Sequence, residues 1–380
     1  MPHCPVWACR REGHGVRVLV WQWGRFGAAP RLAALLAEAL RSLPDTEALL
    51  SLSSGAELLH SAAAPQCDLP MTTYRGLAGF AVRFATVPFA SPLLARRIAA
   101  VDPNLAVCAM PGPLDLLMAA ALRRLRIPFV VLVHDADIHP GDGLPLQMCL
   151  QRALCRRATA IGALTNHVGD RLRVQGVAGT PARPLLRLSL PPTDFGVPSR
   201  PHNSDGTVRL LSFGRLLPYK GLDLLAEALI MLGSCPGVAI RVVGSGPECP
   251  ALQALRALPG VTVENRWVPE DEISALLDWS DALVLPYREA SQSGVAAAAI
   301  AAGRRVLATR VGGLAEQLAG APGAILCEPD AMSLVTGLRS LIEAPCDVAV
   351  PPPADPRAAW RDLAASLMRQ IAAVGTGHSR

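Results

Sequence analysis

Hydrophobic positions along the chain fall into short continuous runs separated by stretches of helical period. Val16-Arg17-Val18-Leu19-Val20-Trp21 reads as a buried strand, a loop with Gly24 and Gly27 follows, and an Ala/Leu pattern predicts a helix from about Pro30 to Leu43. The alternation returns with a strand at Leu105 to Met110, a helix at Leu114 to Leu125, a strand at Phe129 to Val133, a loop rich in His and Asp, and a helix through Leu150. Strands and helices in this order build a parallel sheet joined by crossover helices.

From Leu190 to Gly206 periodicity stops and Pro, Ser, Asn and Gly take over, which places a domain boundary there. A second series follows: strands at Val208 to Phe213, Ala239 to Val243, Val261 to Val263, Ala282 to Leu285 and Arg305 to Ala308. Helices are expected at Leu222 to Leu232, Pro250 to Leu258, Ile273 to Leu277 and about Ser293 to Ala302. The expected organisation is a first domain over 1–195, a linker over 196–206, a second domain over 207–350, and a tail over 351–380 whose helix, Ala358 to Val374, is a candidate to cross back. Two doubly wound, Rossmann-like α/β domains would face one another across a cleft at the carboxyl ends of their strands, where open sheets bind ligands.

Composition narrows this reading. With 380 residues, 51% of them hydrophobic and 18% charged, the chain has material for a sizeable core, which excludes wholesale disorder and a disulfide-held peptide. The net charge of +5 is spread thinly, so nucleic acid is not an expected partner, whereas an anionic substrate or an anionic membrane surface is compatible with it. The ten cysteines form no Cys-x-x-Cys pair, so neither a zinc ribbon nor a disulfide ladder is expected, and reduced cytosolic thiols are the plain reading. Met1 to Gly15 carries Arg10, Arg11 and Glu12 with no apolar run behind them, unlike a secretory signal. No stretch reaches the roughly 18 uninterrupted apolar residues of a spanning helix.

The densest candidate chemistry lies after the strand ending at Phe213. In Gly214-Arg215-Leu216-Leu217-Pro218-Tyr219-Lys220-Gly221 two cations precede a helix, a place that suits a diphosphate because the guanidinium fork and the ammonium add to the helix dipole. Of 36 basic residues 35 are arginine, and Lys220 is the one lysine of the sequence. A compact ammonium is thus called for at this turn, unless Lys220 is a surface lysine kept by chance. Val243-Gly244-Ser245-Gly246-Pro247-Glu248 follows a strand, and its glycines let backbone approach a ligand or simply close a tight turn. Ser293 can cap the next Ala-rich helix, leaving the amides of Gly294 and Val295 for a phosphate; an ordinary capped core helix stopped by Gly303 has the same sequence.

Together these segments, with Gly312-Gly313-Leu314-Ala315-Glu316, resemble the nucleotide-sugar-binding half of the family 4 retaining glycosyltransferases, which have the GT-B fold. The resemblance covers Val208 to Glu343 and implies that Arg215 and Lys220 hold the donor diphosphate and that Gly312, Gly313 and Glu316 form a turn beside the donor. It also implies that Trp267, in Glu264-Asn265-Arg266-Trp267-Val268, lies near the nucleobase, although a plain buried Trp fits that position as well. The family's two glutamates fall at Ala290 and Ala298; Glu289, one residue from the first, is the available substitute. In the first domain His134, after the strand Phe129 to Val133, is the expected partner of the transferred sugar, and Gly24 and Gly27 resemble the loop over the diphosphate. The His/Asp run from His134 to Asp142 could alternatively bind a metal, but the family needs none, and no cofactor beyond the nucleotide sugar is expected.

The family's mechanism lets cations assist departure of the nucleoside diphosphate, whose phosphate accepts the acceptor's proton, so no catalytic carboxylate is required. Expected partners are a nucleotide sugar and a saccharide acceptor, lipid-linked or an exopolysaccharide precursor. Segments mixing Leu, Phe and Arg, at Tyr74 to Phe84, Pro92 to Ile98 and Leu122 to Arg126, are either core helices with solvated arginines or a peripheral contact with the inner face of an anionic membrane. A nucleotide-sugar epimerase and a non-catalytic sugar-nucleotide binder are the alternatives. The first would want more acidic residues for proton abstraction, and the second is favoured by Ala290 and Ala298.

Overall fold

The computed structural model describes residues 15–61, 64–74, 76–142, 145–197, 206–343 and 355–377. The readings on residues 1–14, on 198–205 of the linker and on the Pro-rich 351–354 lie outside them. The chain forms two compact units: Met1–Asp137, Leu144–Ser189 and Trp360–Arg380 make the first, and Ile138–Gly143 with Leu190–Ala359 make the second.

The first unit runs β1 (Val16–Gln22), α1 (Ala28–Arg41), β2 (Thr46–Leu52), α2 (Gly76–Ala85), α3 (Val87–Val101), β3 (Leu105–Cys108), α4 (Asp115–Leu125), β4 (Phe129–Val133), α5 (Pro145–Cys155), β5 (Ala160–Ala163), α6 (Asn166–Val174) and β6 (Leu185–Arg187). Its parallel sheet has the order β2-β1-β3-β4-β5-β6. The continuous apolar runs of β1, β3 and β4 are what a sheet covered on both faces requires: Leu19, Val20, Val107 and Val131 are fully buried, and Trp21 meets Phe129 edge to face at 5.9 Å. The strand expected to reach Met110 stops at Cys108. β5 and β6 escape the periodicity because they are short and, in β5, built largely of Ala and Gly, whereas β2 is 7 residues long and its Thr46, Glu47 and Ser51 break the apolar run.

The second unit runs β7 (Val208–Phe213), α7 (Leu222–Leu232), β8 (Val238–Gly244), α8 (Pro250–Arg256), β9 (Val261–Asn265), α9 (Ile273–Trp279), β10 (Ala282–Leu285), α10 (Gly294–Ala301), β11 (Arg305–Thr309), α11 (Gly312–Leu318), β12 (Ala324–Cys327) and α12 (Ala331–Glu343). Its parallel sheet has the order β12-β11-β10-β7-β8-β9. Chain direction across this sheet reverses between β7 and β10, the topological switch point at which doubly wound sheets bind their ligands. In the first sheet the reversal falls between β1 and β3.

A last helix, α13 (Pro356–Gly377), buries Trp360, Leu363, Ala364, Leu367 and Ile371 along one stripe. Its Gln370 side chain accepts from the Arg187 amide at 3.0 Å and donates to the Arg187 carbonyl at 2.9 Å, so it satisfies the open edge of β6 in the first unit. Among the described residues no helix is long and apolar enough to cross a membrane.

Candidate functional site

Two loops meet at the switch point of the second sheet. After β7 the chain passes Gly214, makes a single 3₁₀ turn over Pro218–Lys220 and enters α7 through Gly221, whose φ of +66° favours glycine. A Cβ on Gly221 would sit 1.8 Å from the Pro286 carbonyl oxygen, so this loop rests directly on the one after β10. The amide of Arg288 donates to the Tyr219 carbonyl at 2.8 Å, and its guanidinium grips Asp223 in the first turn of α7, at 2.7 Å for the shortest bond. These contacts fix the cations' backbone before any ligand arrives.

Two tyrosines then gather the charges. Lys220 Nζ lies 3.7 Å from the ring centroid of Tyr287 and 5.0 Å from that of Tyr219, a cation–π arrangement on a buried ring. Arg215 donates to the Tyr219 hydroxyl at 2.8 Å. Burial pushes the Tyr287 phenol up to about 12 and also raises that of Tyr219, so both stay neutral beside the cations. The Tyr287 hydroxyl is 3.5 Å from Ser293 Oγ, which caps α10 by accepting from the Ala296 amide at 3.1 Å. Gln317 of α11 holds the Ser293 backbone from both sides, accepting from its amide at 2.9 Å and donating to its carbonyl at 3.0 Å. The amides of Gly294 and Val295, in the first turn, have no intrahelical acceptor. Arg215, Lys220 and the amino end of α10 are therefore linked through two aromatic rings, and a Cβ on Gly214 would already touch Val295 at 3.6 Å.

Gly244 and Gly246 serve the packing of these loops. A Cβ at Gly244 would lie 1.6 Å from the Gly214 carbonyl oxygen, and one at Gly246 would lie 2.1 Å from that of Leu216. Asn265 pairs with Gly246 as a strand would, accepting from its amide and donating to its carbonyl, both at 3.1 Å. Trp267, just beyond β9, is 45% exposed, too open for a plain buried tryptophan. Gly312 and Gly313 open α11, the Gly313 amide donates to the Ala290 carbonyl at 2.9 Å, and Glu316 on the same helix is exposed. Ala290 and Ala298, where the resemblance expects glutamates, are buried in an apolar cluster with Leu285 and Tyr287, so a carboxylate at either would need desolvation.

Residues 138–142, between β4 and α5, belong to the second unit and add His139 and Asp142 to this site. His139 stacks on Tyr219, with ring centroids 4.8 Å apart and planes 19° apart. Its Nδ1 is 3.3 Å from Glu289 and its Nε2 is 3.3 Å from Ser291, while Asp142 pairs with Arg215. Asp137, the neighbour of this segment in sequence, bonds Arg171 and Gln175 in the first unit instead, and the Arg171 guanidinium, with the Gln175 amide assisting, holds its carboxyl below the usual range. Tyr219 and Tyr287 were visible in one respect: the chain has only 3 tyrosines. His139 and Asp142 stood out only as members of the His/Asp run, and nothing local marked Gln317.

In the first unit Gly27, with φ +79°, precedes α1, and the Gly24 amide donates to the Gln22 side chain at 2.8 Å. His134 follows β4, is 6% exposed and holds the Ala109 carbonyl at 3.0 Å through Nε2, which must therefore carry the proton. Burial lowers the pKa of this imidazole, which favours the neutral ring.

The architecture matches solved structures along nearly its whole length. A sucrose-phosphate synthase from Thermosynechococcus elongatus superposes with a TM-score of 0.65 at 17% identity, covering 96% of this chain and 100% of its own. Anabaena HepE in complex with UDP and glucose superposes with 0.64 at 18%, covering 95% and 100%. The fold is thus that of the GT-B glycosyltransferases. Residues 7–184 match the Glycosyltransferase Family 4 description and residues 207–344 the Glycosyl transferases group 1 description, and the chain belongs to glycosyltransferase family 4. A 2-deoxystreptamine glucosyltransferase of Streptomyces kanamyceticus is 26% identical over 269 residues, 63% of this chain and 68% of that protein. A GDP-mannose:glycolipid 4-beta-D-mannosyltransferase of Xanthomonas campestris pv. campestris is 32% identical over 112 residues, 26% of this chain and 30% of that protein.

Proposed function

We propose that the protein moves a hexosyl group from a nucleotide-diphosphate sugar to a saccharide acceptor with retention of configuration, the acceptor being lipid-linked or an exopolysaccharide precursor. The observation that carries this is the convergence of Arg215, Lys220 and the amino end of α10 at the switch point of the second sheet. Two side-chain cations and a helix dipole suit a diphosphate and need no metal ion to neutralise it. The names of HepE's ligand, UDP, and of the Xanthomonas relative's donor, GDP-mannose, support a nucleotide sugar.

As the bond from the anomeric carbon to the diphosphate breaks, its electron pair passes to the phosphate oxygen, where Arg215 and Lys220 stabilise it. The acceptor hydroxyl attacks the same face of the oxocarbenium-like sugar and its proton goes to the departing phosphate. Trp267, Glu289, Gly312, Gly313 and Glu316 are assigned to the nucleoside and sugar, and Gly24 and Gly27 to the diphosphate. His134, a neutral imidazole, is assigned to a hydroxyl of the transferred sugar. Reduced thiols and the mixed basic and apolar helices support a cytoplasmic protein in peripheral contact with an anionic membrane.

The test is incubation with a panel of uridine and guanosine diphosphate sugars, reading nucleotide release and the anomeric configuration of the product by NMR. Transfer with the donor's configuration is the expected result. An inverted product, a C2 epimer of the donor, or binding without turnover would each overturn the assignment.

A further inference from the structure

The first sheet also has a switch point, between β1 and β3, and a cavity of about 150 Å³ opens beside it. Trp23, just past β1, and Leu114, at the N-cap of α4, line it together with Arg83 of α2 and a stripe of α3, where Ala90, Leu94 and Arg97 follow one another at helical spacing. Its charges have one sign: Arg83 and Arg97 line it and no carboxylate does, among the described residues. Both arginines are held by backbone. Arg97 donates to the Pro70 carbonyl at 2.9 Å and contacts Met71 Sδ at 3.3 Å, and Arg83 donates to the Thr73 carbonyl at 3.3 Å. A guanidinium has five N–H donors, so these bonds orient each fork and engage a minority of its donors.

Size and surroundings then limit the ligand. A cavity of this volume takes a group about as large as benzene, well below the 300–1,000 Å³ of sites that enclose a whole drug-sized molecule. Outside it the same two helices leave large apolar side chains in water: Val82 is 65% exposed, Phe89 84% and Leu93 64%, and Leu93 also lines the cavity. Large apolar side chains left in water on two neighbouring helices, α2 and α3, are costly unless something covers them.

We propose that this cavity binds the anionic head of an amphiphilic acceptor, a phosphate or diphosphate carried on an apolar chain, with Arg83 and Arg97 on the charge and Leu93 and Phe89 along the chain. The proposal rests on the glycosyltransferase reading and specifies its saccharide acceptor as one joined to a lipid through phosphate or diphosphate.

The test is calorimetric titration of the full chain with farnesyl diphosphate, inorganic diphosphate and farnesol, each in the presence of saturating UDP so that the donor site is filled. Farnesyl diphosphate is expected to bind at least tenfold more tightly than either of the others. Arg97→Ala should lose that advantage; because Arg97 also anchors a loop, Leu93→Glu, at an exposed position, provides the second variant and should lose tenfold or more with an unchanged melting temperature. UDP affinity should be the same in both variants. Equal binding of farnesyl and inorganic diphosphate, equal binding of farnesol, or no binding overturns the proposal, and so does equal competition by phosphatidylglycerol vesicles, which would make this a general bilayer contact. A failure of UDP itself to bind counts against the donor reading alone.

Discussion

The two switch points are constructed differently. In the second unit the loops after β7, β8 and β10 lie backbone on backbone, with no room for a Cβ at Gly221, Gly244 or Gly246. In the first unit Gly27 and Gly76 have nothing within 4 Å of an added Cβ, and the cavity beside the sheet is lined by residues of α2, α3 and α4 and of the segment 71–73. Backbone-on-backbone contact fixes geometry to a fraction of an ångström, which suits a site that must meet one invariant group such as a diphosphate. Side-chain walls can be respecified by substitution without moving a strand, which suits a site whose ligand differs between relatives.

The sharpest way to break this comparison is a pair of glycine substitutions. Gly221→Ala meets the Pro286 carbonyl and should cost more than about 3 kcal/mol and abolish UDP binding, whereas Gly27→Ala meets only its own strained φ and should cost about 1–2 kcal/mol. Denaturant midpoints of the two variants decide it; equal losses would show that the two loops are not built differently.

The next contrast is electrostatic. Asp115, 1% exposed at the start of α4, has its carboxyl raised to about 6 by burial, with the Gly112 amide at 2.7 Å and the Cys108 thiol at 3.3 Å pulling only partly the other way. A carboxyl whose folded-state pKa lies above its unfolded value keeps its proton longer in the folded chain. Its contribution is therefore full below about pH 4 and is lost as pH rises through 6, by roughly 2–3 kcal/mol. Denaturant midpoints of the wild type should fall across that window and those of Asp115→Asn should not. A parallel decline in the variant would place the pH dependence elsewhere.

The division of labour between the units can be read from two further variants. Lys220→Ala should weaken UDP binding by about tenfold or more in calorimetry while leaving the melting temperature near that of the wild type. His134→Ala should lower kcat more than donor affinity. Unchanged UDP affinity would remove Lys220 from the site, and an unaltered rate would return His134 to a structural role. The smallest effect is expected at Ser293→Ala, where loss of the cap on α10 should cost about 1 kcal/mol, visible as a lowered midpoint and a modest loss of UDP affinity.

Much of the fold was legible because its signals are local. Short runs rich in apolar residues set against helical spacing give β1, β3, β4 and every strand from β7 to β11, and Ser293 before an alanine run gives the start of α10. Arg215 and Lys220 could be picked out because arginine bias makes a lone lysine informative. What surrounds them could not. Tyr287 reaches Lys220, and Pro286 limits Gly221, only because β10 lies beside β7 in the sheet, across more than sixty residues of chain.

The amino-acid sequence by itself determined the alternation of elements, the two-unit organisation and the identity of the cations, since each depends on neighbours a few positions away. Tertiary structure alone decided that two tyrosine rings order those cations, that residues 138–143 join the second unit, that Ala290 and Ala298 are core, and that Arg83 and Arg97 share a cavity. Those facts depend on which strands become neighbours. Strand order is fixed by the packing of both sheet faces at once, which no local period of two or 3.6 residues can encode.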